Sequence, residues 1–247
     1  MLSVSTVEHI YSRNWLRKPV EYSRTRDPIS LKKSLLNFKK LGKTGIISEF
    51  KRKSPSGFNL GRDIGPLDYF RKADLQSVAG LSILTEPDHF LGNYADITVV
   101  QEFNLPILDK DFVSSGLMVR NAFNSGADAV LFILDFIGIE KAQELSNYAI
   151  SLGMEALVEF HDIKFLDVLK PLKGVIYGYN RRNLKTLKMD PKEHQVLQKY
   201  EGSELEVVLE SGIDSNYLHE NDMSPYLGML IGTSMLNGEF HTGNILH

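Results

Sequence analysis

From Gly45 onward the chain alternates between short apolar, β-branched runs and longer polar stretches in which apolar residues recur every three or four positions. The short runs read as buried strands near 45–50, 80–85, 105–110, 128–134, 155–159, 174–180, 206–210 and 226–232. The longer stretches read as helices, most clearly over 66–77, 114–124, 138–152 and 162–169. Ser114 and Asp162 stand where N-caps are expected, and Gly126 and Gly153 stand just past helix ends. Strands alternating with helices imply parallel strands joined by crossover helices. Eight such units is the number that closes a (β/α)8, or TIM, barrel. An open doubly wound sheet is the other arrangement, but no strand is followed by G-x-G-x-x-G.

Residues 1–44 do not share this rhythm. They predict a short helix from Val4 to Trp15 and another from Lys32 to Leu41, with Leu31, Leu35, Leu36 and Phe38 on or near one face. Pro19, Pro28 and the Arg-rich residues between them read as a connector. The expected α/β organisation is therefore one domain, with an N-terminal extension over 1–44 and the barrel over 45–247. Ile213 to Tyr226 and the tail after Leu236 are short, so helices seven and eight are expected to be shortened.

The length of 247 residues suits such a barrel. A hydrophobic fraction of 43% with 24% charged residues provides for a core and excludes wholesale disorder. The net charge of −3 gives no footprint for nucleic acid, though a small anion needs only a local cluster of cations. Without cysteine there is no disulfide, thiolate metal site or Cys nucleophile, which fits a cytoplasmic protein. No apolar run is long enough to span a membrane, and the start lacks the regions of a signal peptide. The histidines are scattered without ligand spacing, so neither a metal nor a cofactor is expected.

The residues that close each apolar run carry the chemistry. The first strand ends in Glu49 and Lys51, which share a face because strand side chains alternate. The third runs into Asp109-Lys110-Asp111-Phe112, the fifth ends in Glu159, and the sixth in Asn180 with Arg181 and Arg182 behind it. The seventh ends in Glu210-Ser211-Gly212 and the eighth in Gly232-Thr233-Ser234. Taken singly, each reads equally as an ion pair or an ordinary turn. In a TIM barrel all these ends meet on one face, where active sites lie. Side-chain parity then puts Ile47, Glu49, Lys51, Lys110, Leu131, Ile133, Glu159, Asn180 and Glu210 on the inner face, and Asp109 towards the helices. Lys51, Lys53, Lys110 and Arg182 supply positive charge, while Glu49, Glu159 and Glu210 can accept protons or hold a lysine. The glycine turns after strands seven and eight suit a phosphate.

Several stretches resemble the indole-3-glycerol-phosphate synthase family of tryptophan biosynthesis. The most specific are Glu49-Phe50-Lys51-Arg52-Lys53-Ser54-Pro55-Ser56 and Leu108-Asp109-Lys110-Asp111-Phe112. In order along the chain come also Leu81 to Glu86, Gly126 to Leu131, Gly153 to Glu159, Asn180 to Leu184, Glu210 to Ile213 and Ile231 to Leu236. The resemblance implies a carboxy-lyase that closes, decarboxylates and dehydrates 1-(2-carboxyphenylamino)-1-deoxyribulose 5-phosphate. It implies Lys110 as general acid, and Lys51 as holder of the carboxylate or acid in dehydration. Glu159 would be the acid–base partner, Glu49 and Glu210 would hold lysines and hydroxyls, and Ser211 would support the ribulose side. Asn180 and Arg182 would fix carboxylate and hydroxyls, and Phe112, Leu131 and Ile133 would bed the aryl ring. Ser54, Gly212, Gly232 and Thr233 would bind phosphate, and the extension would cover the barrel mouth. The implied partner is a phosphorylated small molecule, handled by a monomer or weak homo-oligomer, with no nucleic acid or membrane.

The chain departs from the family pattern at Asp109, Arg181 and Asn183. Two other readings remain: a different phosphate-binding barrel such as a sugar-phosphate isomerase, and an inactive barrel kept as a binding partner.

Overall fold

The computed structural model describes residues 4–55, 57–186, 188–189 and 205–232. Eight parallel strands close into a barrel in sequence order, β1 pairing with both β2 and β8. They are β1 (Gly45–Phe50), β2 (Val78–Leu84), β3 (Ile107–Lys110), β4 (Ala129–Ile133), β5 (Glu155–Phe160), β6 (Val175–Asn180), β7 (Val207–Glu210) and β8 (Gly228–Ile231). Every strand is buried along nearly its whole length because helices cover the outside and side chains fill the inside. Ile47, Leu108, Leu131, Leu157, Ile176, Val208 and Leu230 pack together within the barrel. Their strand neighbours, such as Ile46, Val130, Val158, Tyr177 and Leu209, form the second core under the helices. That split is the period-two alternation of strand side chains.

The described helices are α1 (Val4–Arg13), α2 (Leu31–Lys40), α3 (Pro66–Lys72), α4 (Tyr94–Val100), α5 (Gly116–Ser125), α6 (Leu134–Ser151) and α7 (Ser215–Glu220). Ser115, one residue later than expected, caps α5 by accepting from the Met118 N–H, and Gly126 ends it at φ 100°. α3 stops at Lys72, short of the expected Ser77, because Ala73 turns extended and Asp74 starts a turn by accepting from Gln76. α6 begins at Leu134, before the expected start, and breaks at Gly138, whose φ of 75° takes it out of helical geometry. The expected helix over 162–169 is a 3-10 turn, Ile163–Asp167, capped by Asp162. α4, seven residues under an Asn93 cap, was too short to stand out as a periodic pattern. After β7, α7 is a short helix of six residues. The expected eighth helix falls on residues outside the described ones, and residues 190–204 between β6 and β7 lie outside them too.

The first 44 residues divide between the two ends of the barrel. α1 and the following 3-10 turn (Asn14–Leu16) dock at the mouth, where the Asn14 amide donates to the Phe112 carbonyl and to the Ser114 hydroxyl. α2 packs beneath the base, with Leu31 and Leu35 fully buried. A Cβ on Gly80 would meet Leu31 at 2.5 Å, and one on Gly228 would meet Leu35 at the same distance. Glycine at these strand starts therefore makes room for the plug. Between the two ends Asp128 gathers the connector, accepting from Arg24, Arg26 and the Ile29 N–H as well as from the Ile107 N–H of β3.

Candidate active site

A cavity of about 350 Å³ opens at the carboxyl ends of the strands, in the size range of small-molecule sites. Each acidic or basic group on its floor is the last or next-to-last residue of a strand, or just beyond it, and inward parity points it to the axis. Lys110 Nζ lies 2.7 Å from Glu210, 3.5 Å from Glu49 and 3.9 Å from Glu159. Lys51 Nζ donates to Glu49 at 2.6 Å. The Asn180 amide donates to Glu159 at 2.9 Å, and its own Oδ1 accepts from the Arg182 N–H. Two ammonium groups and three carboxylates thus share one small volume.

The electrostatics follow from that crowding. Burial pushes the Glu159 carboxyl up, the neighbouring Glu210 pushes it further, and Lys110 only partly offsets both, leaving it at about 8. Burial also works against Glu49, but Lys51 and Lys110 outweigh it and hold that carboxyl below its ordinary value. Burial opposes the charge on Lys110, yet Glu210, Glu49 and Glu159 together raise its pKa. A protonated carboxyl beside a retained ammonium and an ionised carboxylate is a set that can give and take protons near neutrality.

One wall is apolar. Phe112, Leu131 and Ile133 line it as a group, Phe90 and Leu184 add to the apolar lining, and Leu230 of β8 lines the cavity from the barrel interior. The opposite rim carries Ser54, Arg182, Ser211, Gly212 and Gly232. Ser211 and Gly212 are consecutive left-handed residues, at φ 71° and 65°, a strained conformation for serine. Arg181 holds this turn, donating to the carbonyls of Ser211 and Gly212 while its guanidinium lies 3.8 Å from the centre of the Tyr217 ring. A Cβ on Gly232 would sit 2.5 Å from Glu49 Oε1 and 2.9 Å from Lys51 Nζ, so a side chain there would displace that pair. Gly178 has the same relation to Glu210, at 2.1 Å.

Of the residues singled out in the sequence, Lys51, Glu49, Lys110, Glu159, Asn180, Ser211, Arg182, Phe112, Leu131, Ile133, Ser54, Gly212 and Gly232 all border the cavity. Glu210 sits one layer deeper, fully buried, and reaches the cavity through Lys110. Thr233 lies outside the described residues. Phe90, Leu184 and Leu230 were not foreseen. Leu184 follows the Asn180-Arg181-Arg182 stretch, and Leu230 has the inward parity of Gly232, so parity alone would have found the second.

Among the described residues no group of three or more His, Asp and Glu could hold a metal ion, and no helix is long and apolar enough to cross a membrane. The fold and its strand ends define an acid–base (β/α)8-barrel enzyme. A family model described as "Indole-3-glycerol phosphate synthase" matches residues 4–245. The indole-3-glycerol phosphate synthase of Picrophilus torridus is 42% identical over 236 residues, covering 94% of this chain and 92% of that protein. That of Thermoplasma acidophilum is 40% identical, covering 93% of each. The chain belongs to the indole-3-glycerol phosphate synthase family. Among solved structures it is similar to tryptophan synthase subunit alpha from Legionella pneumophila, with a TM-score of 0.60 at 14% identity over 84% of this chain and 87% of that one. The YdjI aldolase from Escherichia coli K12 gives 0.59 at 11% identity, over 85% and 83%. At these identities the two structures speak for the barrel alone.

Proposed function

We propose that this cavity converts 1-(2-carboxyphenylamino)-1-deoxyribulose 5-phosphate to indole-3-glycerol phosphate, carbon dioxide and water, with the strand-end residues in the following roles. The aryl ring lies on Phe112, Leu131 and Ile133. The phosphate lies on the opposite rim, at the backbone of Gly212 and Gly232 with Ser54 and Thr233. Ser211, Asn180 and Arg182 orient the hydroxyls and the carboxylate between them.

The aryl carbon bearing the carboxylate attacks the ketone carbon, and the ketone oxygen takes a proton from Lys110. Three carboxylates keep Lys110 charged, so it donates only as negative charge builds on that oxygen, which makes it a transition-state stabiliser first. Loss of carbon dioxide returns its bonding electrons to the ring and restores aromaticity. Glu159 returns a proton to Lys110, and as a carboxylate then takes the proton from the carbon next to nitrogen. The new hydroxyl leaves as water with a proton from Lys51, held by Glu49, and Lys51 recovers that proton from solvent, the one proton the overall reaction consumes.

The observation that carries this reading is the convergence of Lys51 and Lys110 on Glu49, Glu159 and Glu210 opposite an apolar wall. A sugar-phosphate isomerase has no use for a second lysine and an aryl bed. The test is to incubate the protein with the substrate and follow indole fluorescence; its absence over a range of pH and temperature would remove the reading. We further infer a cytoplasmic enzyme that works as a monomer or weak homo-oligomer.

A further inference from the structure

His161 follows the last residue of β5, and its backbone and its ring make different ties. The backbone N–H donates to Asp135 Oδ2 of α6 at 2.9 Å. The ring Nδ1 lies 2.9 Å from the carbonyl oxygen of Asn180, the last residue of β6. A carbonyl only accepts, so Nδ1 carries the proton of this bond. The register between β5 and β6 stops one residue short of this point, at Phe160 and Tyr179. The imidazole therefore joins the two strand ends where the backbone ladder has ended.

Asn180 is buried and held from three sides. Its carbonyl meets His161, its Oδ1 accepts from the Arg182 N–H at 2.9 Å, and its Nδ2 donates to Glu159 Oε1 at 2.9 Å. The Arg182 N–H fixes the orientation of the amide, because a flipped amide would set one donor against another. With Oε1 accepting from Asn180, the proton of the Glu159 carboxyl belongs on Oε2, the oxygen 3.9 Å from Lys110 Nζ. The bond from Asn180 also favours the ionised carboxyl, while burial and Glu210 oppose it. His161 stands close behind this arrangement, for a crevice of about 10 Å³ is lined by Glu159, His161, Asp135 and Lys185 together. The charged groups around the pair are Asp135, Asp162 and Lys185 on that side, and Lys110 and Glu210 on the other.

We propose that His161 is a positioning residue for the acid–base carboxyl: its ring N–H holds the Asn180 backbone, and the Asn180 amide thereby keeps the proton of Glu159 on the oxygen that faces Lys110. This deepens the reaction proposed above and rests on it. In that reaction Glu159 hands a proton to Lys110, so the oxygen that carries the proton decides whether the transfer is direct.

The test compares His161→Leu, which keeps bulk and removes the donor, with His161→Asn, whose amide N–H can serve the same carbonyl. Each is made in the whole chain, with and without Glu159→Gln, and kcat/KM is followed against pH. His161→Leu should lower the plateau by about three- to thirtyfold. It should also move the bend near pH 8 upward by roughly half a unit to one unit, because the ionised carboxyl has lost a well-placed donor. His161→Asn should stay within about threefold of the parent, with the bend in place. In the Glu159→Gln background His161→Leu should cost less than about twofold, since both substitutions act on one proton. An undiminished loss in that background overturns the proposal, as do equal losses from His161→Leu and His161→Asn. An unchanged plateau overturns it whatever happens to the melting temperature, because His161 is then a structural contact only. A downward shift of the bend overturns it too, since the ring would then be a shield against water. His161→Phe takes the place of His161→Leu if the latter does not fold. If the parent protein itself fails to turn the substrate over, the reaction and this inference fall together; if the parent is active and only the variants disagree, the inference falls alone.

Discussion

The two faces of β3 bury charge side by side with opposite results. Lys110 points inward and meets Glu210, Glu49 and Glu159. Asp109, one residue earlier, points outward to Thr85 and lies beside Asp111, with Arg17 of the extension as the cation acting on both. Counting Lys51 with the first group, both clusters are one positive charge short, and both make up the difference with a proton. Burial and Glu210 push Glu159 up to about 8. Burial and Asp111 push Asp109 up to about 8, against the opposing pull of Thr85 and Arg17. What differs is the way out. Glu159 borders a cavity and a lysine, whereas Asp109 is fully buried and its second carboxylate oxygen has no partner among the described residues. A shifted carboxyl is a reagent only where its proton has somewhere to go; elsewhere the same shift lowers stability.

The strongest way to break this comparison is Lys110→Met. Turnover should fall by about 10²–10⁴-fold or more, and unfolding should become easier as pH rises, because Glu159 then ionises in a cluster that has lost its shared cation. Near-normal indole production would reduce Lys110 to an ion-pair element, no different in kind from its outer-face neighbour. Next in size is the pH profile. With Glu159 titrating at about 8, kcat/KM should bend near that pH, by about tenfold per unit on the steep limb, and Glu159→Gln should remove the bend. A bend that survives the substitution belongs to another group.

The outer cluster predicts stability in place of rate. Asp109 has a folded pKa above its unfolded one, so the folded protein keeps a proton that the unfolded chain releases. Its contribution is fully present below about pH 4 and declines as pH rises to about 8. Asp109→Asn should flatten that decline, raise stability at pH 8 by about 1–3 kcal/mol, and leave kcat within about twofold. Denaturant titrations at several pH values measure this; an unchanged slope would mean Asp109 stays ionised. The smallest effect concerns Arg181, whose guanidinium props the turn at Ser211 and Gly212 from behind. Arg181→Ser should raise KM by about three- to tenfold through looser phosphate binding, with kcat preserved. A loss confined to kcat would place Arg181 in the chemistry instead.

The strands were legible because each is a continuous apolar run that a helix layer and a packed interior both require. The site was legible for a related reason: once Glu49, Lys110, Glu159 and Glu210 are strand ends, parity leaves them one direction to point. The extension was not legible in the same way. Val7, Ile10 and Tyr11 mark an apolar face on α1, and Leu31 and Leu35 mark one on α2, but periodicity does not say what a face will cover. That depends on residues about a hundred positions away, such as Phe112 and Asp128. The Gly138 break and the 3-10 turn after β5 escaped for a local reason, since both turn on one or two dihedral angles that leave no trace in the apolar pattern.

The division of the extension between mouth and base also bears on the order in which the molecule is made. These residues leave the ribosome before the barrel does, so nothing they dock against exists at that moment. Leu35 needs the starts of both β1 and β8, the first and last staves of the barrel, and Asp128 joins the connector only once β3 and β4 are side by side. A segment synthesised ahead of the barrel is thus a clasp that closes late, and until then its apolar faces wait uncovered for the strands to arrive.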